Sequence, residues 1–372
     1  MNTNMRRLLS VAASAVLAGG VVACGDDEET PAGGGGGGTP TDAGGGGLSG
    51  DLAGAGASSQ DAAQQAWIAG FQEANPDVTV TYDPVGSGGG IEQFNAEGVP
   101  FGGTDAALEG EELKAAQERC GGPDNLIEIP VYISPIAIIY NLDGVDSLQL
   151  SAETLAAVFK GDITEWSDEA IKADNPDAEL PDERITVVHR SDESGTTENF
   201  AEYMSKAAAS VWDFEVSGDW PVKGQEAADG TSGVVSAVTE GQSTIGYADA
   251  SQAGDLGVAT VKVGEDFVEP SPEAAAKILE SSPESKDPGE YVATYELDRE
   301  TKESGTYPIV LVSYEMACTE YDDAETADLV KGFLEYIISE EGQQASAENA
   351  GSAPLSEALR ELIEPATQAI GA

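Results

Sequence analysis

The sequence predicts an α/β protein, and three observations carry that prediction. Short β-branched runs alternate with stretches of helical periodicity along most of the chain. Segments rich in Gly, Ser, Thr and Asp stand between them. The chain has 372 residues of which 40% are hydrophobic, enough for one large core or two medium ones.

The elements follow in order. Leu48 begins the globular part, and Ala62 to Ala74 reads as a helix with Trp67 and Phe71 one turn apart on its core face. Val78-Thr79-Val80-Thr81-Tyr82 alternates as a strand should. Gly86-Ser87-Gly88-Gly89-Gly90 reads as a breaker loop, with a short helix starting at Ile91. Val131 to Tyr140 is a strand rich in Ile, Val and Tyr, and Pro135 within it marks an edge or a crossing segment. Ile185 to Val188 is a further strand, followed by a polar turn from Arg190 to Thr197 and helical pattern from Glu198 through Lys206. Thr244 to Ala248 and Tyr307 to Tyr314 read as strands. Leu329, Phe333, Tyr336 and Ile337 share one helical face, and a last helix covers Ser356 to Ile370.

Composition narrows function. Lys and Arg number 17 against 68 Asp and Glu, a net charge of −51. Such a chain is repelled by nucleic acid and by an anionic membrane surface, and stays soluble and monomeric. His189 is the single histidine, so a multi-histidine metal site is excluded and any imidazole chemistry must use that residue. Nothing in the pattern calls for a metal or a cofactor.

The amino terminus reads as an export signal. Arg6 and Arg7 precede an apolar run from Leu8 to Ala23, which ends in Val21-Val22-Ala23-Cys24. This resembles a bacterial lipoprotein signal, with residues 1–23 removed and Cys24 lipidated. Residues 24–47, with Asp26 to Glu29 acidic and glycine tracts at Gly33–Gly38 and Gly44–Gly47, form a flexible tether that buries nothing. The expectation is an extracytoplasmic protein leashed to the outer face of the cell membrane. In that compartment Cys120 and Cys318, 198 positions apart, are expected to be bridged.

Four small-residue segments carry the chemistry: Gly54 to Ser59, Gly86 to Gly90, Phe101-Gly102-Gly103-Thr104-Asp105, and His189 to Thr197. Three lie where a strand gives way to a helix, where free amides and the helix dipole collect anions. Arg190 adds a planar, permanently charged fork suited to phosphate oxygens. Taken one by one, Ser58, Ser87, Ser194 and Asp105 are ordinary cap residues and His189 an ordinary structural one.

Taken in order, the segments resemble the phosphate-binding protein of the bacterial high-affinity phosphate ABC transporter (Pst type). Gly54-Ala-Gly-Ala, the loop at Gly86, Phe101-Gly-x-x-Asp105 and Arg190-Ser-Asp-x-Ser-Gly-Thr196 carry the resemblance. Ile163-Thr164-x-Trp166, Asn175-Pro176, Gly246-Tyr247 and Tyr307-Pro308-Ile309 extend it over about residues 48 to 365. It implies a type II periplasmic-binding-protein fold, two α/β lobes joined by two crossing strands. The crossings fall near Ile133 to Ile138 and Ile309 to Val312, giving lobe one as 48–132 plus 312–372 and lobe two as 133–311. It also implies inorganic phosphate as ligand and a membrane ABC permease as partner.

Carried over residue by residue, the ligands are Ser58, Ser59, Ser87, Asp105, Arg190, Ser194, Gly195 and Thr196, with Asp192 orienting Arg190. Ser59 stands where the family often has Phe and keeps only the backbone donor in common. Asp105 makes sense beside an anion that still carries a proton. The alternatives are a receptor or sensor for another oxyanion such as sulfate or molybdate, and a serine hydrolase built on His189. Against the hydrolase, Glu193-Ser194-Gly195 lacks the Gly-x-Ser-x-Gly frame. His189 should also point away from the side to which Arg190 points.

Overall fold

The structure is a computed structural model, and it describes residues 47–282 and 289–371. The expected signal peptide, the lipidation site Cys24 and the tether up to residue 46 lie outside the described residues.

The first half of the chain runs β1 (Gly50–Gly56), α1 (Asp61–Ala74), β2 (Val78–Asp83), α2 (Ser87–Asn95), β3 (Phe101–Thr104), α3 (Gly110–Arg119) and β4 (Leu126–Asn141). Then come β5 (Gln149–Leu150), α4 (Ala152–Lys160), α5 (Glu169–Asp174), β6 (Thr186–Arg190), α6 (Gly195–Ala207), β7 (Glu226–Ala228), α7 (Gly230–Glu240) and β8 (Thr244–Asp249). The chain ends with β9 (Gly257–Val263), β10 (Asp266–Val268), α8 (Pro272–Ser281), β11 (Tyr291–Val292), β12 (Val310–Cys318), α9 (Ala324–Ile338), α10 (Glu340–Ala350) and α11 (Glu357–Gln368).

Local chemistry explains these elements. The alanines of α1 favour helix, and Trp67 and Phe71 bury one turn apart. Trp67 is fully buried and donates its indole N–H to the carbonyl of Gly342 at 2.8 Å. Truncating such a side chain costs about 3–5 kcal/mol. Pro76 stops the helix, because the residue before a proline avoids the α region. In β2, Val78 and Val80 point into the core while Thr79 and Thr81 face solvent.

The strands pair in the order β2-β1-β3-β12-β4-β8-β6-β7. β1 is parallel to β2 and β3, and β12 runs antiparallel to β3 and β4. β4 is the pivot. Its first part, up to Pro135, pairs with β12, whereas Ile136 to Asn141 pair with β8. One 16-residue strand therefore serves two sheets and carries the chain from one α/β lobe to the other. Pro135 sits at the change of partner, where a missing N–H is tolerated. Nearly every residue of β4 is buried. β12 brings the chain back, antiparallel beside it. This is the type II periplasmic-binding architecture.

Three sequence expectations are corrected. The glycine segment after β2 is not a breaker loop: Ser87 to Gly90 form the first turn of α2. Only Gly86 takes a positive φ, 90°, and it ends the connection. The next glycines serve close approach rather than flexibility. A Cβ on Gly90 would lie 2.4 Å from the Gly56 Cα, so only glycine lets α2 settle on the end of β1. Likewise the polar turn after β6 is shorter than expected, because α6 already begins at Gly195 with Ser194 as its cap. The return strand is Val310 to Cys318 rather than Tyr307 to Tyr314.

Cys120 and Cys318 are joined as a disulfide with Cα atoms 5.2 Å apart. It ties the end of α3 to the last residue of β12.

Candidate functional site: an interlobe cleft of hydroxyls and amides

Four helix N-termini meet where the lobes face each other. A 3₁₀ turn at Ser58–Gln60 leads into α1, and α2, α6 and α7 start at Ser87, Gly195 and Gly230. Each follows a strand end, so each presents amides that its own helix cannot satisfy. Ser58, Ser59, Ser87, Asp105, Arg190, Ser194 and Thr196 are all buried.

Asp105 is one centre of the cluster. Its carboxylate accepts hydrogen bonds from Ser59 Oγ at 2.6 and 2.7 Å and from Thr196 Oγ1 at 2.8 Å. Ser313 on β12 donates to it as well. The Asp105 N–H in turn donates to Ser87 Oγ at 3.1 Å. Gly195 closes the group: a Cβ there would stand 2.7 Å from the Asp105 Cβ and 2.8 Å from Ser87 Oγ. Thr196 and Ser59 therefore reach one carboxylate from the two sides of the cleft.

Arg190 is the second centre. Asp192 grips its guanidinium at two points, with Nε 2.8 Å from Oδ1 and Nη2 against Oδ2. Burial pushes the Asp192 carboxyl up, but the hydrogen bond and charge of Arg190 and the Gly230 N–H outweigh it and hold it below its ordinary value. Gly230 N donates to Asp192 Oδ1 at 3.1 Å, so the start of α7 is pinned to the same carboxylate. Ser58 reaches across the cleft to Thr231, whose N–H donates to Ser58 Oγ at 3.1 Å. The two centres are neighbours. A Cβ on Gly86, the residue before Ser87, would lie 3.2 Å from Arg190 Nη2.

Ser194 accepts from Thr197 N at 3.3 Å and so caps α6. Its hydroxyl hydrogen remains available, and the Gly195 and Thr196 amides open the helix. All eight residues expected to bind the anion thus belong to one region, with Asp192 beside Arg190. The arrangement is a basin of hydroxyl and amide donors with one guanidinium and one carboxylate acceptor.

His189 faces elsewhere. Its Nδ1 donates to the Arg190 carbonyl oxygen at 2.7 Å, and its ring stacks on Trp220 at 5.4 Å. Burial lowers its pKa, against the opposing pull of that carbonyl, so the ring is held neutral as a packing element.

Residues missed in the sequence include Thr231, Tyr247, Asn199 and Ser313. Asp229-Gly230-Thr231-Ser232-Gly233 repeats the strand-to-helix pattern of the other segments and could have revealed Thr231. Tyr247 pairs with Thr197 Oγ1 at 2.6 Å and accepts from Arg190 N, and burial pushes its pKa up to about 12. Ser313 lies in an apolar strand and carried no signal.

Comparison with known proteins places the chain in a family. The family model described as the PBP superfamily domain matches residues 39–341. Phosphate-binding protein PstS 3 of Mycobacterium tuberculosis is 36% identical over 323 residues, 86% of each chain. Phosphate-binding protein PstS2 of Mycobacterium bovis is 32% identical over 327 residues, 86% of this chain and 87% of that protein. Among solved structures, the high-affinity periplasmic phosphate-binding protein PfluDING, bound with phosphate, has the same fold. Its TM-score is 0.69 at 23% identity, over 85% of this chain and 93% of that one. The phosphate-binding protein of Stenotrophomonas maltophilia matches at a TM-score of 0.64 and 20% identity, over 85% and 94% of the two chains. The chain therefore belongs to the PBP superfamily and, within it, to the Pst-type phosphate-binding proteins, a family of transporter substrate-binding proteins and not of enzymes.

Proposed function

We propose that the protein captures inorganic phosphate between its lobes and delivers it to an ABC permease for import. Ser58, Ser59, Ser87 and Asp105 act from lobe one, residues 48–132 plus 312–372. Arg190, Ser194, Gly195 and Thr196 act from lobe two, residues 133–311. The hinge lies at Pro135/Ile136 and at the start of β12. Cys24 carries the lipid anchor on the outer face of the membrane, and the protein works as a monomer.

The placement of Asp105 carries this reading. A carboxylate in an anion basin repels a bare oxyanion but accepts the O–H of one that keeps a proton. HPO₄²⁻ and H₂PO₄⁻ offer that hydrogen; sulfate at neutral pH offers none. The hydroxyls of Ser59 and Thr196, which donate to Asp105, can rotate toward phosphate oxygens as the P–O–H takes their place. Arg190 is held by Asp192 on one edge and donates from Nη1 to Thr231 Oγ1 at 3.5 Å, leaving one N–H on each terminal nitrogen for the anion. Bridging both lobes, the ligand favours the closed state.

Isothermal titration of the purified protein tests this. Phosphate should bind tightly and sulfate should not compete. In Asp105→Asn, discrimination against sulfate should fall by about 10- to 100-fold, the value of one buried unpaired acceptor, and more than phosphate affinity falls. No phosphate binding by the wild type, or unaltered selectivity in the variant, would overturn the reading.

A further inference from the structure

We infer that Arg299 and Asn199 form a positioning relay that couples the returning crossing strand to the anion basin and biases the lobes toward closure. Neither residue lies among the anion's expected partners, and the inference rests on the functional reading above only for its ligand arm.

Arg299 is buried, in the segment that leads into β12. Its guanidinium is used on every side. Nη1 donates to the carbonyls of Pro308 at 3.1 Å and Val310 at 2.7 Å, where β12 begins. Nε donates to Glu202 Oε2 at 3.0 Å, one turn along α6 from Asn199. Nη2 donates to Asn199 Oδ1. Asn199 passes the constraint on. Its Nδ2 donates to the carbonyl of Asp105 at 2.7 Å and to that of Gly195 at 2.9 Å. Asp105 then carries the carboxylate that Ser59, Thr196 and Ser313 approach, and Ser313 lies three residues beyond Val310 on the same strand.

The chemistry makes this circuit directional. An Asn amide has one acceptor end and one donor end. With the guanidinium on Oδ1, the NH₂ must face the two carbonyls; a flipped amide would set oxygen against both carbonyls and NH₂ against Arg. The charge-assisted bond to Oδ1 also polarises the amide and strengthens its donation at the other end. Because Asn199 and Gly195 sit on α6 and Asp105 follows β3, the Asn199–Asp105 bond exists only with the lobes apposed. Lysine at 299 would keep the charge near Glu202 but lack the planar fork needed to hold two carbonyls and an amide together.

The test uses the full chain with Arg299→Lys, Asn199→Ala and the double variant, each checked by circular dichroism for native folding. In the unliganded protein, small-angle X-ray scattering should give a larger radius of gyration for each single variant. Stopped-flow with inorganic phosphate should show dissociation about tenfold faster, with little change in association rate. Because the two residues act in series, the double variant should be no worse than either single one. Wild-type compactness and dissociation rate in both single variants, or effects that multiply in the double variant, would overturn the relay. Should the wild type not bind phosphate at all, the functional reading falls while scattering alone still decides the relay. If Arg299→Lys does not fold, Asn199→Ala, which loses no charge, decides both readouts.

Discussion

At the residue scale, the anion basin shows how a side chain's role depends on what surrounds it. Ser194 and Ser87 each accept a backbone N–H and keep the hydroxyl hydrogen free, while Ser58 accepts from the Thr231 N–H and shares a 3.0 Å hydrogen bond with Thr231 Oγ1, so structural contacts leave room for the proposed binding role. The candidate ligands were legible because they lie in short ordered segments around Arg190 and Asp105. Ser313, Asn199 and Arg299 were not, because each acts from within a strand, helix or connection whose local pattern is ordinary. Glu315 is another such residue. It is fully buried on β12, with Oε1 accepting from Gln64 Nε2 at 2.6 Å. Its Oε2, Gln60 Nε2 and Gln64 Oε1 have no hydrogen-bond partner among the described residues. Burial raises its pKa to about 8, against the lowering bond from Gln64. A carboxyl raised in the folded state contributes stability that is complete below about pH 4.5 and is lost as pH rises toward 8. Glu315→Gln should remove that slope and raise stability at pH 7 by about 2–3 kcal/mol. Denaturant unfolding of both proteins at pH 5, 7 and 8 checks this; parallel pH profiles would contradict it.

At the element scale, strands were easier to read than helix starts. β2 and β4 announce themselves by alternation and by a continuous apolar run, and Pro135 marked the crossing. The start of α2 was hidden because Ser-Gly-Gly-Gly reads as a turn wherever glycine supplies freedom. Here glycine supplies contact instead, against Gly56 and, at Gly88, against Glu193. That distinction belongs to packing and is absent from a local window. The disulfide is an element-scale device as well. It fixes the end of α3 to the end of β12, away from the anion basin, and closes a loop of 198 positions. The chain-entropy account gives such a loop about 5 kcal/mol. Replacing both cysteines by serine should lower the melting temperature markedly while phosphate affinity in the folded variant stays within about twofold. A large affinity loss at a temperature where the variant is folded would show that the bridge shapes the cleft.

At the scale of the whole molecule, an anion receptor with a net charge of −51 poses an electrostatic problem. Ion pairing relieves little of it: the described residues form four ion pairs, and Lys114–Glu118 and Lys160–Asp213 among them include largely exposed side chains. The carboxylates also crowd each other. Glu198 on α6 has a pKa raised to about 7, first by burial and then by Glu109, Glu112, Glu202 and Glu193. Self-repulsion of this kind destabilises the compact state and slows the approach of an anion, whereas the basin's own donors act at contact distance and hardly feel the total charge. Salt separates the two effects, because the screening length falls from about 10 Å at 0.1 M to about 3 Å at 1 M. Raising NaCl should therefore increase thermal stability and speed phosphate association while dissociation stays nearly constant. This is the reverse of the salt response of a receptor that steers its ligand by opposite charge. Stopped-flow association rates across that salt range, with melting curves on the same samples, decide the matter. Association that slows with salt would mean that a local positive field at Arg190 and the helix N-termini reaches past the surface and governs capture.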